Sequence, residues 1–362
     1  MIYNLGFVLL YLWMCFTNGK NNLRKTLDNT KVNTNEFDCP NVISIENTTH
    51  DRRSNTSTLR IMQYNVEWLF VNYYAEANCP GSDCTWHTES DAKVHLEYVS
   101  KIINELQPDI LNLCEVEGCN ELEMLINSTN GEQYIPYLIQ GTDTSTGQNV
   151  GLLTKIDPVV NLYRTEERIT YPISGSTCST GLGSTTTGVS KHYITEFEMN
   201  GLNIVMIGTH FLAFPTDPER CVQREAQAQV LQNVIKKYHD KNYEIIVLGD
   251  FNDFDTEVID SNENKPISQV LDIMKGLKGT YATTYELKNI AINIPQPDRY
   301  SDWWDENNNC NSTLTEFSMI DHILVSPNLE NKIVNAFIYK GYNEYCGTYN
   351  SDHYPVVIDF VF

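Results

Sequence analysis

The sequence predicts a fold of mixed α and β structure, α/β or α+β, arranged as one large domain. Strand-like apolar runs return from residue 59 to the end, and two stretches with helical spacing interleave with them. No internal repeat and no linker follow residue 58, so a single domain is the economical organisation for a chain of 362 residues.

The opening MIYNLGFVLLYLWMCFTNGK holds an apolar run from Leu5 to Phe16 followed by small polar residues. It is short for a bilayer span and suits a secretory signal over residues 1–19, although no basic residue precedes it. Residues 20–58 are rich in Asn, Thr and charge with little apolar periodicity, which predicts a poorly ordered segment. The folded domain is expected over 59–362. Its strands are read from LRIMQYNVEWLF, PDILNLCEV, NVGLLTK, HYITEFEM, LNIVMIGTHFL, YEIIVLGDFN, SMIDHILVS and YPVVIDFVF. DAKVHLEYVSKIINEL places Val94, Tyr98, Ile102 and Leu106 at near-helical spacing and stops before Pro108. PERCVQREAQAQVLQNVIKKYHD does the same with Ala226, Val230 and Val234, and carries Lys236 and Lys237 near its C-terminal end, where the helix dipole favours cations.

Composition limits the function classes. The chain is 41% hydrophobic, 11% aromatic and 20% charged, the make-up of a globular protein. Its net charge of -22 repels nucleic acid and anionic membrane as a whole, which argues against a protein that coats DNA non-specifically. An enzyme is less constrained, because a bound divalent cation reverses the sign of the local field. Four sequons, at Asn47, Asn55, Asn127 and Asn311, fit a secreted glycoprotein, and no later run is long enough to cross a membrane. Of ten cysteines, Cys15 lies in the signal, and the other nine are disulfide candidates with at least one left over. Cys79 with Cys84 and Cys114 with Cys119 are close enough to form local clips.

Polar residues crowd the C-terminal ends of the strand runs: Asn65, Glu115, His210, and Asp250 with Asn252. Asp321 lies within SMIDHIL, and Asp352 with His353 stand just before YPVVIDF. A strand buried on both faces reads as a continuous apolar run, so a carboxylate at its tip is held rigidly at the rim of the core. Glu117 competes with Glu115 as the important acid of its segment. His322 points to the opposite strand face from Asp321 and reads as structural.

These segments in this order resemble the endonuclease/exonuclease/phosphatase superfamily of pancreatic-type deoxyribonucleases, abasic-site endonucleases, neutral sphingomyelinases and inositol polyphosphate 5-phosphatases. YNVEWLF, DILNLCEVEG, NVGLLTK, GTHF, VLGDFND, MIDHILVS and SDHYPVVIDF carry the resemblance, which covers about residues 59–362. It implies a four-layered α/β/β/α sandwich, two packed, largely antiparallel sheets flanked by helices, with the site at one edge. It implies a Mg²⁺-dependent phosphoester hydrolase, with Mn²⁺ or Ca²⁺ as alternative ions. It assigns Asn65 and Glu115 to the metal end, with Glu115 as the direct ligand and Asp352 nearby. It makes Asp250 the general base, with Asn252 beside it to hold the attacking water and the phosphate. His210 and His353 would donate to phosphate oxygens, and Asp321 would orient one of them; which one stays open.

Elementary chemistry agrees. Hydrolysis of a phosphodiester needs an activated water in line with the leaving oxygen and positive charge against the nonbridging oxygens. Mg²⁺ takes few carboxylates and keeps several waters, and a histidine fixed by a carboxylate carries a proton near neutral pH.

Two positions depart from the deoxyribonuclease pattern. GVSKHYITEF carries Lys191 where that branch places an Arg, which keeps the charge and loses bidentate geometry. STGQN lacks the usual Tyr, leaving Gln148 or Asn149. Three functional readings follow. A nuclease would use Lys191, Arg220 and Arg224 as a basic track and Trp303 and Trp304 for base stacking. A sphingomyelinase-like phosphodiesterase acting on phospholipid would use the same Trp pair to enter the membrane interface. A secreted binding glycoprotein would keep the fold without the chemistry. No obligate protein partner is evident.

Overall fold

The computed structural model describes residues 37–40, 50–75, 84–130, 133–178, 185–306, 309–342 and 350–362. The expected signal peptide, the sequon at Asn47, and Cys79 and Cys346 lie outside the described residues.

The strands are β1 (Thr58–Leu69), β2 (Ile110–Val116), β3 (Ile135–Leu138), β4 (Asn149–Thr154), β5 (Ile169–Tyr171), β6 (Thr185–Thr187), β7 (Lys191–Met199), β8 (Leu202–His210), β9 (Glu244–Asp250), β10 (Lys288–Asn289), β11 (Asp302–Trp303), β12 (Phe317–Ser318), β13 (Asp321–Val325), β14 (Ile333–Ile338) and β15 (Val356–Val361). The α-helices are α1 (Asn72–Ala75), α2 (Glu89–Leu106), α3 (Cys119–Ser128), α4 (Pro218–His239), α5 (Val270–Met274) and α6 (Pro327–Glu330). One six-stranded sheet runs β14-β15-β1-β2-β4-β3, and a five-stranded sheet runs β10-β13-β9-β8-β7.

Each of these two sheets is antiparallel except for one parallel pair, β1 with β2 and β8 with β9. A parallel pair cannot be closed by a hairpin and needs a crossover, and the two long helices supply it: α2 between β1 and β2, α4 between β8 and β9. Both helices carry local start signals. Thr88 caps α2 by accepting from Asp91 N at 3.1 Å, and Gln107 ends it in a left-handed conformation just before Pro108. Asp217 caps α4 by accepting from Glu219 N at 2.8 Å, with Pro218 in the first turn.

Packing makes four layers. Leu59, Ile61 and Ile358 of the first sheet meet Met206, Ile246, Leu248 and Ile323 of the second in one buried core between the sheets. The outer face of the first sheet, with Met62, Tyr64 and Leu113, packs against Leu96, Val99 and Ile103 of α2 and Leu122 of α3. The outer face of the second, with Val205, Val247 and Leu324, packs against Val230, Leu231 and Ile235 of α4 and Leu271 of α5. The arrangement is the α/β/β/α sandwich that the resemblance implied.

Two stretches of the segment read as poorly ordered are tied to this body. Cys39 is disulfide-bonded to Cys119 at the start of α3, and Asp51 forms a β-bridge with Ile156. The clip between Cys114 and Cys119 does not form, because Cys119 is taken by Cys39 and Cys114 is a free thiol buried between the sheets. Cys178 pairs with Cys221, and Cys84 and Cys310 are also disulfide-bonded.

Candidate active site

Register alone assembles half of the site. Lys191 on β7 stands directly opposite His210 on β8, His210 opposite Asp250 on β9, and Asp250 opposite Asp321 on β13. Directly opposed residues point to the same face, so four polar side chains form one row across four strands. Gly249 permits the last step of the close β8–β9 pairing: a Cβ there would lie 1.8 Å from Thr209 O.

The first sheet supplies the rest through two irregularities. Between Asn65 and Leu69 the register of β1 against β2 shifts, and Glu67 and Trp68 adopt φ of 49° and 53°. Between Cys114 and Val116 the register of β2 against β4 shifts, and Glu115 adopts φ of 66°. Non-glycine residues in the left-handed region are strained, and bulges of this kind re-aim side chains at functional sites. Here they turn Glu115 and Glu67 toward the row. The site thus sits at the carboxyl ends of two parallel pairs, one from each sheet, the usual location for ligands at parallel strands.

Asp250 is the hub. Its Oδ1 accepts from Asn252 N at 2.8 Å, and its Oδ2 accepts from Asn65 Nδ2 at 3.1 Å. Asn65 also donates to Glu115 Oε1 at 3.2 Å, and Trp68 N donates to Glu115 Oε2 at 3.1 Å. His210 Nε2 lies 3.5 Å and His353 Nε2 4.0 Å from Asp250 Oδ2. The question left open by sequence is answered: His353 Nδ1 donates to Asp321 Oδ2 at 2.7 Å, so Asp321 orients His353. The Nδ1 of His210 is buried without a hydrogen-bond partner among the described residues.

Electrostatics separates these groups. Burial, followed by the charge of Asp321, pushes the Asp250 carboxyl up to about 8. Burial, with Lys191 and His353 nearby, holds the His210 imidazole well below its ordinary range, hence neutral. Burial opposes charge on His353 as well, but the carboxylates of Asp321 and Asp352 outweigh it and raise that imidazole well above its ordinary range.

Glu67 and Asp302 join the site without having been read from sequence. Glu67 Oε2 accepts from Asp352 N at 3.0 Å, and Asp302 Oδ1 lies 3.7 Å from His353 Nε2. Glu67 stands two residues after Asn65 in an apolar run, within the stretch where the register of β1 shifts. Asp302 pairs with His353 through a β-bridge between distant segments, which local sequence does not signal.

The substrate-side expectations divide. Arg224 is fully buried; its Nε pairs with Asp253 at 3.2 Å and its other nitrogens donate to the carbonyls of Phe214 and Pro215 at 2.7 Å, so the structure corrects its place in a basic track. Trp303 is 1% exposed and belongs to the inter-sheet core, which corrects its role in stacking; Trp304 is 63% exposed. Asn149 is spent within a turn, donating to Glu117 O and accepting from Gly141 N. Lys191 reaches the row but is held by Gln148 Oε1 at 3.1 Å. Arg220 keeps partial exposure and stacks on Phe214 at 4.4 Å. His322 faces away from the row and bonds Asn289 and the Asp253 carbonyl, as a structural residue.

Glu115, Asn65, Asp352 and Glu67 offer hard oxygen donors. Burial pushes Asp352 up to about 7 and Glu67 well above the carboxylate range, with their neighbouring carboxylates adding to it. A divalent cation relieves that cost, so the donor set fits one. Among the described residues at the site, Asp302, Asp352 and His353 hold ligand atoms within 4.8 Å of one another.

A model of the Endonuclease/Exonuclease/phosphatase family matches residues 62–353. No curated protein sequence matches the chain. Among solved structures it is similar to a 3'-5' exonuclease (NExo) from Neisseria meningitidis, 15% identical over 84% of this chain and 100% of that one, with a TM-score of 0.53. It is also similar to D. rerio TDP2 complexed with single strand DNA product, 16% identical over 84% and 100% of the two chains, TM-score 0.49. A mannosyl-6-phosphatase from Bacteroides thetaiotaomicron gives the same identity, coverage and score. At these identities the likeness is one of fold. With the family match spanning most of the sequence and the two packed sheets in place, the chain belongs to the endonuclease/exonuclease/phosphatase family of phosphoester hydrolases.

Proposed function

We propose that the protein is a secreted, Mg²⁺-dependent phosphodiesterase whose substrate is nucleic acid. The observation that carries the reading is the setting of Asp250, a buried carboxylate with one neutral and one cationic histidine facing the same oxygen.

Asp250 takes the proton of the attacking water. Its Oδ1 is fixed by Asn252 N–H, and its titration near 8 makes it a base matched to neutral or mildly alkaline pH. Neutral His210 donates through Nε2–H to a phosphate oxygen. His353, its Nδ1–H held by Asp321, presents Nε2–H as a second, charged donor. Glu115, with Asn65, Asp352 and Glu67 around it, would hold Mg²⁺, which supplies positive charge against the phosphate oxygens when bound.

Trp304 favours nucleic acid. It is exposed, and its neighbour Trp303 donates its backbone N–H to Asp352 O at 3.0 Å, which keeps Trp304 close in the chain to the site. Beyond Lys191 a cavity of about 320 Å³ is lined by Arg164 and Arg168 together with Glu166 and Glu167. Disulfides and the exposed sequons at Asn55, Asn127 and Asn311 support secretion. A second reading, a phospholipid phosphodiesterase, is favoured by exposed Leu314 in the same β11–β12 connection as Trp304.

The test is nicking of supercoiled plasmid by the purified protein with Mg²⁺, beside EDTA and Asp250→Ala controls. Metal-dependent nicking, lowered about 10²- to 10⁴-fold in the variant, is expected. A well-folded preparation that leaves plasmid intact and hydrolyses sphingomyelin would overturn the nucleic-acid assignment.

A further inference from the structure

Beneath the site a polar line crosses the core from one sheet to the other. Asn112 Nδ2 donates to Gln63 Oε1, Gln63 Nε2 donates to Asp321 Oδ1 at 3.0 Å, and Asp321 Oδ2 accepts from His353 Nδ1 at 2.7 Å. Gln63, Asn112 and Asp321 are fully buried. Gln63 and Asn112 stand directly opposite each other on β1 and β2, whereas Asp321 comes from β13 in the other sheet.

The chemistry fixes the direction of every link. A carboxylate only accepts, so the Gln63 amide must turn its Nε2–H toward Asp321. Its Oε1 is then left for Asn112 Nδ2–H, and Asn112 Oδ1 ends the line with no partner among the described residues. Burying two amides and leaving one carbonyl unpaired works against stability, where a pair of apolar side chains would not. Stability therefore does not explain the line, but its far end does: it terminates on the carboxylate that orients His353.

We propose that Gln63 is a positioning residue of the hydrolytic site. By engaging Asp321 Oδ1 it leaves Oδ2 as the oxygen that meets His353, and so sets the ring plane in which His353 Nε2 faces Asp250 Oδ2. The inference rests on the hydrolytic reading of the site. Gln63 is fully buried and acts through Asp321.

The experiment uses the full secreted chain, Gln63→Met as a shape-conserving apolar variant, and Gln63→Asn as a polar variant too short to reach Asp321. Two readouts are taken: kcat and KM for bis(p-nitrophenyl) phosphate with Mg²⁺, and the low-field Nδ1–H resonance of His353 in histidine-labelled protein. Both variants are expected to fold, to lose roughly tenfold or more in kcat with KM changed less than about twofold, and to show the His353 resonance broadened or lost. Wild-type kcat with an unchanged resonance in Gln63→Met would overturn the proposal. So would failure of both variants to fold, since the role would then be structural. If the wild-type protein hydrolyses no phosphoester, the hydrolytic reading fails, and the resonance alone decides whether Gln63 positions His353.

Discussion

His210 and His353 face the same oxygen of Asp250, at 3.5 and 4.0 Å, and their surroundings push the two imidazoles in opposite directions, His210 down and His353 up. Both are buried, and burial alone would leave both neutral. The difference is the company each keeps. Asp321 and Asp352 stand beside His353, whereas Lys191 is among the charges felt by His210.

Removing the charge of Asp321 should therefore move His353. In wild type the donor form of His353 persists well above the ordinary histidine range, so activity is retained into alkaline pH and lost only above that raised value. In Asp321→Asn the strongest raising partner of His353 is gone while Asp352 and Asp302 remain, so the imidazole loses its proton at lower pH than in wild type and the alkaline limb of kcat/KM against pH shifts down. A loss of about 10²-fold or more at neutral pH accompanies the shift. An unmoved alkaline limb would show that His353 is not the group titrating there.

Metal binding should stabilise the protein increasingly with pH. Asp250 and Asp352 hold protons in the folded, metal-free protein up to about 8 and about 7, whereas the unfolded chain loses them near 3.8. The folded state binds more protons across that window, so these groups lower metal-free stability as pH rises from about 4 to about 8. A cation binds the deprotonated cluster, so Mg²⁺ affinity rises over the same range. At pH 8 and a hundredfold excess over Kd the stabilisation is about 2.7 kcal/mol, or a rise in Tm of about 5 °C. Calorimetry at pH 5 and pH 8, with Mg²⁺ and with EDTA, checks both the sign and the trend.

The adjacent tryptophans should separate stability from binding. Trp303→Ala empties a position in the inter-sheet core and is expected to cost about 3–5 kcal/mol of stability. Trp304→Ala removes an exposed ring and should leave stability within about 0.5 kcal/mol. It should instead weaken single-stranded oligonucleotide binding by about 1–3 kcal/mol. Thermal melts and fluorescence anisotropy of the two variants give the comparison, and equal affinity in Trp304→Ala would remove that ring from the substrate path.

The eight strand segments read from the sequence all appear, because each is an apolar run long enough to be buried on at least one face. Two full members of the six-stranded sheet were not read. IPYL of β3 is four residues with a proline, and IVNAFI of β14 is an edge strand with most positions partly or fully exposed. Helix α3, CNELEMLINS, spans ten residues and was not among the two helical stretches read from the sequence. At the site, the residues at regular strand ends were legible because period and register place them. Glu67 was not, since the register of β1 shifts between Asn65 and Leu69 and the chain leaves extended geometry at Glu67 and Trp68, so strand period no longer places a side chain there. Arg224 and Trp303 were misplaced for a common reason: composition reports that a side chain is cationic or aromatic, and only packing reports that it is fully buried.

The row Lys191–His210–Asp250–Asp321 also sets where this chain can change length. Loops between its strands can gain or lose residues without moving the row, since the ladder and not the connection fixes who stands opposite whom. One residue inserted within β9 would send Asp250 into the helix-facing layer and bring Gly249, which has no side chain, into its place. Length variation among homologues should therefore gather in the connections and vanish inside four short strands.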